Sequence, residues 1–308
     1  MAAAAVPPLG DLSGRRIVVT GANSGIGLET TRALVAHGAE VVMACRSTEK
    51  AEAAAAGLRG APGGAVVRHL DLADLSSVRR FAGETAGDGA LSGVVANAAV
   101  MACPLSFTAD GLELQMGTNH FGHALLVSLL LPMLEREGRV VVVSSIAARG
   151  GKLDAGMQAV DLTAPAPYRA QTVYSNSKQA NLLFAQELQR RLRAAGSGTA
   201  VVAVHPGVSA TELFPRQMRD NRMGFLVPLV RPVMGVILQS AAAGALPSLR
   251  ALSDPALRGG EFLGPRHLGQ TRGRPELLEL YRQGADNAAA SRLFDLTEEV
   301  LGTGLVAP

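Results

Sequence analysis

Two side chains that could exchange protons, Tyr174 and Lys178, stand four residues apart near the start of a segment whose apolar spacing predicts a long helix, Tyr168 to Arg193. They are therefore expected on one helix face. A phenol is a poor acid or base at neutral pH because its ordinary pKa is about 10, and a nearby ammonium favours the phenolate. The pair suits general acid and base chemistry. Alone, the same spacing is more typical of a solvated helix face.

A glycine-rich turn lies far upstream of this pair. Arg16 to Thr20 is predicted to be a buried parallel strand, Gly21 to Gly27 reads GANSGIG, and Leu28 to His37 is predicted to be a helix. A turn between a strand and a helix N-terminus lets the backbone approach a pyrophosphate. The spacing is G-x-x-x-G-x-G and not the familiar G-x-G-x-x-G. A tight turn that binds nothing is the alternative interpretation.

The end of the second predicted strand, Ala39 to Ala44, indicates which dinucleotide would bind. An acidic residue here would bind a ribose 2′-hydroxyl, whereas a cation would pair with a 2′-phosphate. The chain has Arg46 at this position and no acid before Glu49. This favours NADP over NAD. The alternative is a surface arginine beside a helix that Ser47 or Thr48 caps.

Two further strands are each followed by polar residues. The third, Ala65 to Leu70, leads to Asp71 and to a helix near Ser76 to Thr85. Asp71 either touches an adenine or caps that helix, and the sequence leaves both possibilities open. The fourth, Leu91 to Ala96, is followed by Asn97-Ala98-Ala99.

Asn119 falls in the middle of the next predicted helix, Gly111 to Leu134, which two glycines loosen. Asparagine is unfavourable in a helix interior, so this one is either exposed or used. His120 and His123 stand three residues apart without carboxylates at matching spacing. We therefore expect no metal site.

The remaining strands complete a repeating strand and helix pattern. Arg139 to Val143 ends at Ser144-Ser145, Thr199 to Val204 precedes Pro206-Gly207, and Glu261 to Gly264 supplies a short seventh strand. Ligands of such sheets bind at the carboxyl ends of the strands. The pattern predicts the α/β class, with a single doubly wound Rossmann domain, a mostly parallel sheet of about seven strands, and helices on both faces.

Composition narrows the class of protein. The 308 residues are 48% hydrophobic and 18% charged, and the net charge of +3 is spread out, so nucleic acid is not an expected partner. Cys45 and Cys103 form no disulfide pattern, which favours a reducing, cytoplasmic compartment. No signal peptide is expected, because the N-terminus lacks a basic region. The apolar stretch from Met223 to Leu238 contains Arg231 and two prolines, and is a poor membrane span.

We expect residues 1–308 to form one domain with two special segments. Residues 211–238 are apolar and rich in proline, which predicts a lid over an apolar substrate. Ordinary surface packing or an oligomer contact is the alternative. Residues 272–308 are predicted to be a C-terminal helical extension, with helix from Arg272 to Leu301.

Together these motifs resemble the short-chain dehydrogenase/reductase family. The residues that carry the resemblance are Thr20-Gly21-x-x-x-Gly25-Ile26-Gly27, Asn97-Ala98-Ala99, Asn119, Ser145, Tyr174-x-x-x-Lys178 and Pro206-Gly207, which span most of the chain. The phrases GTNHFGHALL and YSNSKQANLLFAQEL are similar to the retinol-dehydrogenase-like branch, which includes the protochlorophyllide reductases. One departure is Ala99, where the family more often has glycine.

The resemblance implies catalytic roles for four residues. Tyr174 would donate a proton to a carbonyl or accept one from an alcohol, and Lys178 would hold the nicotinamide ribose and lower the pKa of Tyr174. Ser145 would bind the reacting oxygen, with Ser144 as second choice. Asn119 would hold a water that links Lys178 to solvent. Cofactor contacts are implied at Gly21, Asn23, Ser24, Gly25, Ile26, Gly27, Arg46, Asp71, Leu72, Asn97, Ala98, Tyr174, Lys178, Pro206, Gly207, Val208 and Thr211.

The predicted function is an NADP(H)-dependent oxidoreductase that moves a hydride between nicotinamide and a carbonyl or alcohol of a lipophilic small molecule. Two alternatives are a light-dependent reductase of a porphyrin-like ring and a catalytically silent NADP-binding sensor. The missing insertion near Gly150 to Tyr168 counts against the first. The intact Ser145, Tyr174 and Lys178 count against the second. The resemblance would also allow a homo-oligomer formed through the helices that contain Asn119 and Tyr174.

Overall fold

A single eight-stranded sheet organises the computed structural model, which describes residues 9–208 and 239–306. The strand order is β3-β2-β1-β4-β5-β6-β7-β8. The strands are β1 Arg16–Thr20, β2 Glu40–Cys45, β3 Gly64–His69, β4 Leu91–Ala96, β5 Leu134–Val143, β6 Ala200–Val204, β7 Phe262–His267 and β8 Arg272–Leu278. The predicted segment 211–238, with Thr211, lies outside the described residues.

Helices cover both faces of this sheet. They are α1 Gly25–Ala36, α2 Thr48–Ala56, α3 Leu75–Ala86, α4 Leu114–Met116, α5 Gly122–Leu130, α6 Ala159–Thr163, α7 Ala170–Ala194, α8 Ala241–Ser253 and α9 Asn287–Leu301. One buried apolar cluster includes residues of α3, α5, α7 and α9, and a second includes residues of α1, α2 and α8. Alternate residues of the central strands contribute to each cluster, as the two-sided burial of a parallel sheet requires. The predicted α/β Rossmann class is confirmed.

The strand order places a crevice between β1 and β4. Successive strands run outward from β1 to β3, and the chain then crosses back to β4 on the other side of β1. A sheet that reverses its winding direction in this way opens a crevice at the carboxyl ends of the two strands. Thr20 ends β1 and Ala96 ends β4, so the glycine-rich turn and Asn97 lie at this point.

Two predicted helices differ from the structure. The segment Arg272–Leu278 is a strand that pairs antiparallel with β7, Leu263 lying opposite Leu277. The helix predicted from Gly111 to Leu134 is divided into α4, a π-helical turn over Gly117–Phe121, α5, and a 3-10 turn. Both differences arise from contacts with distant parts of the chain, which local sequence patterns do not report.

The C-terminal helix α9 packs along the outer side of α7 and reaches the π-helical turn. The rings of Phe184 and Phe294 stack with centroids 5.8 Å apart, and Arg191 forms an ion pair with Asp295. Thr297 Oγ1 is hydrogen-bonded to Nε2 of His120 at 2.9 Å. The last helix therefore braces the helix that carries the predicted proton-transfer pair. Within the described ranges, every helix is too short or too polar to cross a bilayer.

Candidate active site

The glycine-rich turn brings the end of β1 against the start of α1. Gly21 adopts φ +65°, in the left-handed region that favours glycine, and a Cβ there would lie 3.1 Å from the Cβ of Ala98. A Cβ on Gly27 would come within 2.7 Å of Asn97 Nδ2. Ser24 begins α1 without a side-chain cap, which leaves first-turn amides available to an anion. These features fit the pyrophosphate of a dinucleotide.

Thr20 fastens this turn to the end of β4. Its hydroxyl oxygen accepts hydrogen bonds from the backbone N–H groups of Asn97 and Ala98, both at 2.9 Å. Asn97 Nδ2 donates to the carbonyl of Thr20 at 2.8 Å. Ala99 has no positive φ, so the glycine that the family more often has is not needed for the backbone here. Asn97 and Ala98 thus lie beside the glycine-rich turn.

Arg46 and Asp71 follow two neighbouring strands on the other side of β1. Arg46 comes directly after β2 and is exposed, and in the described part of the chain no carboxylate forms an ion pair with it. Asp71 does not cap α3, because Asp74 is the N-cap and accepts from the N–H groups of Ser76 and Ser77. Asp71 instead accepts from the N–H of Ala73 at 3.0 Å, and Leu72 beside it is buried. Arg46 and Asp71 therefore lie at the carboxyl ends of the adjacent strands β2 and β3.

Tyr174 and Lys178 are both almost fully buried, with 7% and 2% of their surface exposed. Lys178 Nζ donates to the carbonyl of Val143, the last residue of β5, at 3.0 Å. Burial lowers the pKa of Lys178 to about 8, because the ammonium loses its hydration. The two residues that the sequence paired are thus held at the carboxyl edge of the sheet and not on a solvated face.

The pKa of Tyr174 is raised above the ordinary value of a phenol. Burial raises this pKa, and a hydrogen bond with the Ser145 side chain opposes the rise. The predicted lowering of this pKa by Lys178 is therefore not found. The phenol is protonated at neutral pH, which suits a proton donor more than a base.

The structure separates the two serines that end β5. Ser144 is buried, and its hydroxyl donates to the carbonyl of Lys178 at 2.7 Å. Ser145 is half-buried and hydrogen-bonds Tyr174, so its hydroxyl and the phenol can bind the same oxygen atom. Ser144 holds α7 against the end of β5, and Ser145 remains the candidate for binding the reacting oxygen of the substrate.

Asn119 lies inside the π-helical turn and is completely buried. Its side chain accepts from the N–H of Val100 at 2.8 Å and donates to the carbonyl of Val100 at 2.9 Å. Nδ2 also lies 3.0 Å from Ser177 Oγ, on α7. The question that the sequence left open is answered, since Asn119 is used and not exposed. Turns of this kind are frequent at functional sites.

The loop after β6 closes the same edge of the sheet. Gly207 has φ +70°, its N–H donates to Nδ1 of His205, and the N–H of Val208 donates to the carbonyl of Thr271 at 2.8 Å. Gln239 Nε2 donates to the carbonyl of Pro206. Val208 is therefore held by the β7–β8 connection, Gly207 by His205 and Pro206 by Gln239, while Thr211 lies outside the described residues.

Sequence reasoning missed three polar residues that support this site. Ser177 donates to the carbonyl of Tyr174 at 2.8 Å, and Asn181 Nδ2 donates to Val143 O at 3.2 Å beside Lys178. The backbone N–H of Gln239 donates to the carbonyl of Val208. Ser177 and Asn181 follow Tyr174 and Lys178 at helical spacing of three, which was a usable signal. Gln239 gave none.

Comparison with known proteins places this geometry in a family. A model described as short chain dehydrogenase matches residues 15–156. Human retinol dehydrogenase 11 is 38% identical over 296 residues, which cover 94% of this chain and 87% of that protein. Among solved structures, an uncharacterized protein from Mycobacterium paratuberculosis is 40% identical with a TM-score of 0.81, covering 99% of this chain and 100% of that one. A short-chain dehydrogenase from Burkholderia cenocepacia in complex with NADP is 26% identical, with a TM-score of 0.60 over 82% of this chain and 96% of that one.

The chain belongs to the short-chain dehydrogenase/reductase family, and it is similar to the retinol-dehydrogenase-like branch. It is an oxidoreductase that uses a nicotinamide cofactor and acts on a small molecule. The sequence-based recognition of this family is confirmed.

Proposed function

We propose that this enzyme is an NADP(H)-dependent oxidoreductase that interconverts a carbonyl and an alcohol on a lipophilic small molecule. The observation that carries the proposal is the grouping of the buried Tyr174 and Lys178 with the half-buried Ser145 at the edge of the sheet where the glycine-rich turn lies. The predicted roles of these residues and of Asn119 are part of the proposal.

The nicotinamide, when bound, supplies or accepts the hydride. In reduction, negative charge develops on the carbonyl oxygen of the substrate. Ser145 would donate a hydrogen bond to this oxygen and Tyr174 would deliver the proton. Lys178, held by Val143 O, would bind the ribose hydroxyls. In oxidation the deprotonated form of Tyr174 would accept the proton from the alcohol.

The assignment of Tyr174 is tested by replacing it with phenylalanine. Tyr174→Phe removes the proton donor and leaves the shape of the side chain, so kcat should fall by at least about 10²-fold. NADPH affinity should change little. The measurement is NADPH absorbance over a panel of aldehydes, ketones and quinones in the dark, with NADPH affinity followed by its fluorescence.

Tyr281→Phe is the matched control for this change. Tyr281 is as buried as Tyr174, and its hydroxyl donates to Gln270 at the β7–β8 connection. We expect its kcat to stay within about threefold of the parent, since general acid catalysis does not pass through it. Turnover by Tyr174→Phe within tenfold of the parent would exclude the assignment.

Preference for NADP is the second part of the proposal. Its support is the exposed Arg46 at the end of β2, where a guanidinium can pair with a 2′-phosphate, and the NADP complex of the related Burkholderia enzyme. Arg46→Ala should lower the ratio of NADPH to NADH affinity by about tenfold or more. Arg59→Ala removes an equal charge from another exposed side chain and should leave this ratio unchanged. An unchanged ratio in Arg46→Ala would refute the preference.

A lipophilic substrate is proposed from two facts. Relatives at 35–41% identity include several retinol dehydrogenases, and the sequence of residues 211–238 is apolar. Activity on retinoid-like, steroid-like or long-chain aldehydes is expected. Activity confined to small polar carbonyls would contradict this part. The comparisons favour neither the light-driven reductase nor the silent sensor.

Three further inferences complete the proposal. We infer a single domain over residues 1–308, with residues 211–238 as a substrate lid and the C-terminal part as an extension. A cytoplasmic location is inferred from the cysteine pattern, with Cys45 a buried thiol. A homo-oligomer would have to use helix surface that α9 leaves open, since α9 lies against α7.

A further inference from the structure

His123 is a buried histidine of α5 to which the proposed chemistry gives no task. It lies one helical turn after Asn119 and is 3% exposed. Its Nδ1 is 3.1 Å from the carbonyl oxygen of Asn119, and its Nε2 is 2.9 Å from Oγ1 of Thr20. It therefore joins the π-helical turn to the last residue of β1, immediately before the glycine-rich turn.

The partners of His123 determine which nitrogen carries the proton. A backbone carbonyl can only accept, so Nδ1 must donate to Asn119 O. Thr20 Oγ1 already accepts the N–H groups of Asn97 and Ala98, which occupy its two lone pairs. Its own proton therefore points to Nε2 at 2.9 Å, which is closer than its other acceptor, Val95 O at 3.4 Å. A proton on Nε2 would meet the hydroxyl proton, so the ring is neutral.

The hydrogen bonds continue from His123 to the helix that carries Tyr174. Asn119 Nδ2 donates to Ser177 Oγ at 3.0 Å, and Ser177 Oγ donates to the carbonyl of Tyr174 at 2.8 Å. Thr20, His123, Asn119, Ser177 and Tyr174 thus form one path of directed bonds. It begins beside the turn that fits a pyrophosphate and ends at the backbone carbonyl of Tyr174, the residue whose phenol is the proposed proton donor.

We propose that His123, as the neutral Nδ1–H form, is a positioning residue that fixes the distance between the glycine-rich turn and the Tyr174 helix. The catalytic consequence rests on the proposed function, whereas the tautomer is a property of the chain alone. Hydride transfer needs the cofactor and the proton donor aligned on one substrate, and a misplacement of about 1 Å can cost about 10²-fold in rate. His123 links the two because it is bonded to Thr20 before the glycine-rich turn and to Asn119, whose side chain is bonded to Ser177 of α7.

The environment of His123 supports a neutral ring. Burial lowers the pKa of His123 to about 3, and the bond to Asn119 O opposes this only in part. The neighbouring charges of Lys178 on α7 and of His120 in the π-helical turn lower it further. The ring is therefore not expected to titrate between about pH 5 and 8, where free histidine does.

The tautomer can be tested on the cofactor-free protein by ¹⁵N NMR of the histidine side chains, assigned with His123→Asn. We expect a protonated Nδ1 and an unprotonated Nε2 that do not change between pH 5 and 8. A proton on Nε2, or a titration near the ordinary histidine pKa, would overturn the inference. This result does not depend on any substrate, so it is distinguishable from failure of the proposed function.

The catalytic consequence can be tested with two matched leucine variants. His123→Leu removes both bonds of the path, whereas His120→Leu removes an equally buried histidine that bonds Thr297 of α9. Both should lower Tm. Only His123→Leu should lower kcat by about tenfold or more per folded, NADPH-binding molecule, with a smaller change in substrate KM. Equal kcat losses in the two variants, or none in His123→Leu, would refute the positioning role.

A conservative variant keeps the test decisive if His123→Leu does not fold. The amide nitrogen of His123→Asn can replace Nδ1 as donor to Asn119 O, although it does not reach Thr20. Its kcat should therefore fall about threefold to tenfold below that of the parent, because the bond from Thr20 is lost while the bond to Asn119 O is kept. A kcat within twofold of the parent would show that the bond between Thr20 and His123 does not position the two sites, and would refute the proposal.

Discussion

The two halves of α7 bury polar groups in different ways. The first half holds Lys178, which is 2% exposed and donates to one backbone carbonyl, without a carboxylate partner among the described residues. The second half holds Glu187, which is equally buried but accepts hydrogen bonds from Arg190 and Arg191. Burial of a charge is costly unless it is paired. One half of α7 therefore buries a cation without an opposing charge, whereas the other half buries an anion that two cations neutralise.

The pKa shifts follow the same division. Burial lowers the pKa of Lys178 to about 8, and no opposing charge restores it. Burial alone would raise the pKa of Glu187, but the bonds from Arg190 and Arg191 outweigh it, and this pKa is lowered. A strongly shifted and unpaired group is typical of a functional site. A buried group whose pKa is shifted by paired charges is typical of a structural ion pair, here at the end of α7 that α9 contacts.

The largest loss of stability is expected where α9 packs against the second half of α7. Phe294 of α9 is completely buried and stacks on Phe184. Phe294→Ala should lower the free energy of unfolding by about 3–5 kcal/mol, through lost apolar contact and the cavity left behind. Urea unfolding measures this loss.

If the two halves of α7 are independent, Phe294→Ala should leave the structure of the first half unchanged. The kcat of the folded fraction should remain within about threefold of the parent, because no reacting group is moved. If kcat fell in parallel with stability, the two halves of the helix would not be separable.

Lys178 should be a net cost to the cofactor-free protein, in contrast to Phe294. Its folded pKa of about 8 lies below the ordinary value of 10.5, so the unfolded chain binds more protons between these values. Stability should therefore rise with pH across this window, by on the order of 3 kcal/mol. Lys178→Met should lack this rise and be more stable than the parent at pH 7, although inactive.

The measurement is urea unfolding of the parent and of Lys178→Met at pH 7 and pH 10, without cofactor. The difference between the two proteins isolates Lys178 from every other titrating group. Equal pH slopes would show that the ammonium is not desolvated, and the contrast with Glu187 would then lose its basis.

Much of the fold could be predicted, because the strands that carry the site are local signals. β1, β2 and β6 are valine-rich, mostly apolar runs buried on both faces, and the structure places their ends within about a residue of the predictions. β8 was missed because Arg272 to Leu278 is charged and contains proline, and it becomes a strand only by pairing with β7. An edge strand tolerates proline, but sequence cannot show which edge is available.

Spacing predicted which site residues share an element but not their partners. The four-residue interval placed Tyr174 and Lys178 on one face, and the serine pair marked the end of β5. The hydrogen bond from Lys178 to Val143 O, and the bond that occupies the hydroxyl of Ser144 and not that of Ser145, depend on how α7 packs on the sheet. His123 was noticed only as a metal ligand to be rejected. Its real partner, Thr20, lies 103 residues away.

The smallest effects should distinguish the buried anchor from its exposed partners. Glu187 is 2% exposed on its side chain, Arg191 is 28% and Arg190 is 60%. Glu187→Gln removes the charge that both arginines need and should cost about 1–3 kcal/mol at pH 7. Arg190→Ala should cost less than about 1 kcal/mol, because exposed ion pairs contribute little. Urea unfolding compares the variants.

Low pH should distinguish the contribution of Glu187 to stability from that of Lys178. Because the folded pKa of Glu187 is lowered, its contribution is present above the ordinary value of 4.5 and is lost as pH falls through the folded value. The stability difference between the parent and Glu187→Gln should therefore shrink below about pH 4.5, whereas that for Lys178→Met should not change there. A Glu187→Gln difference that stayed constant down to pH 3 would mean that packing, and not charge, anchors this end of α7.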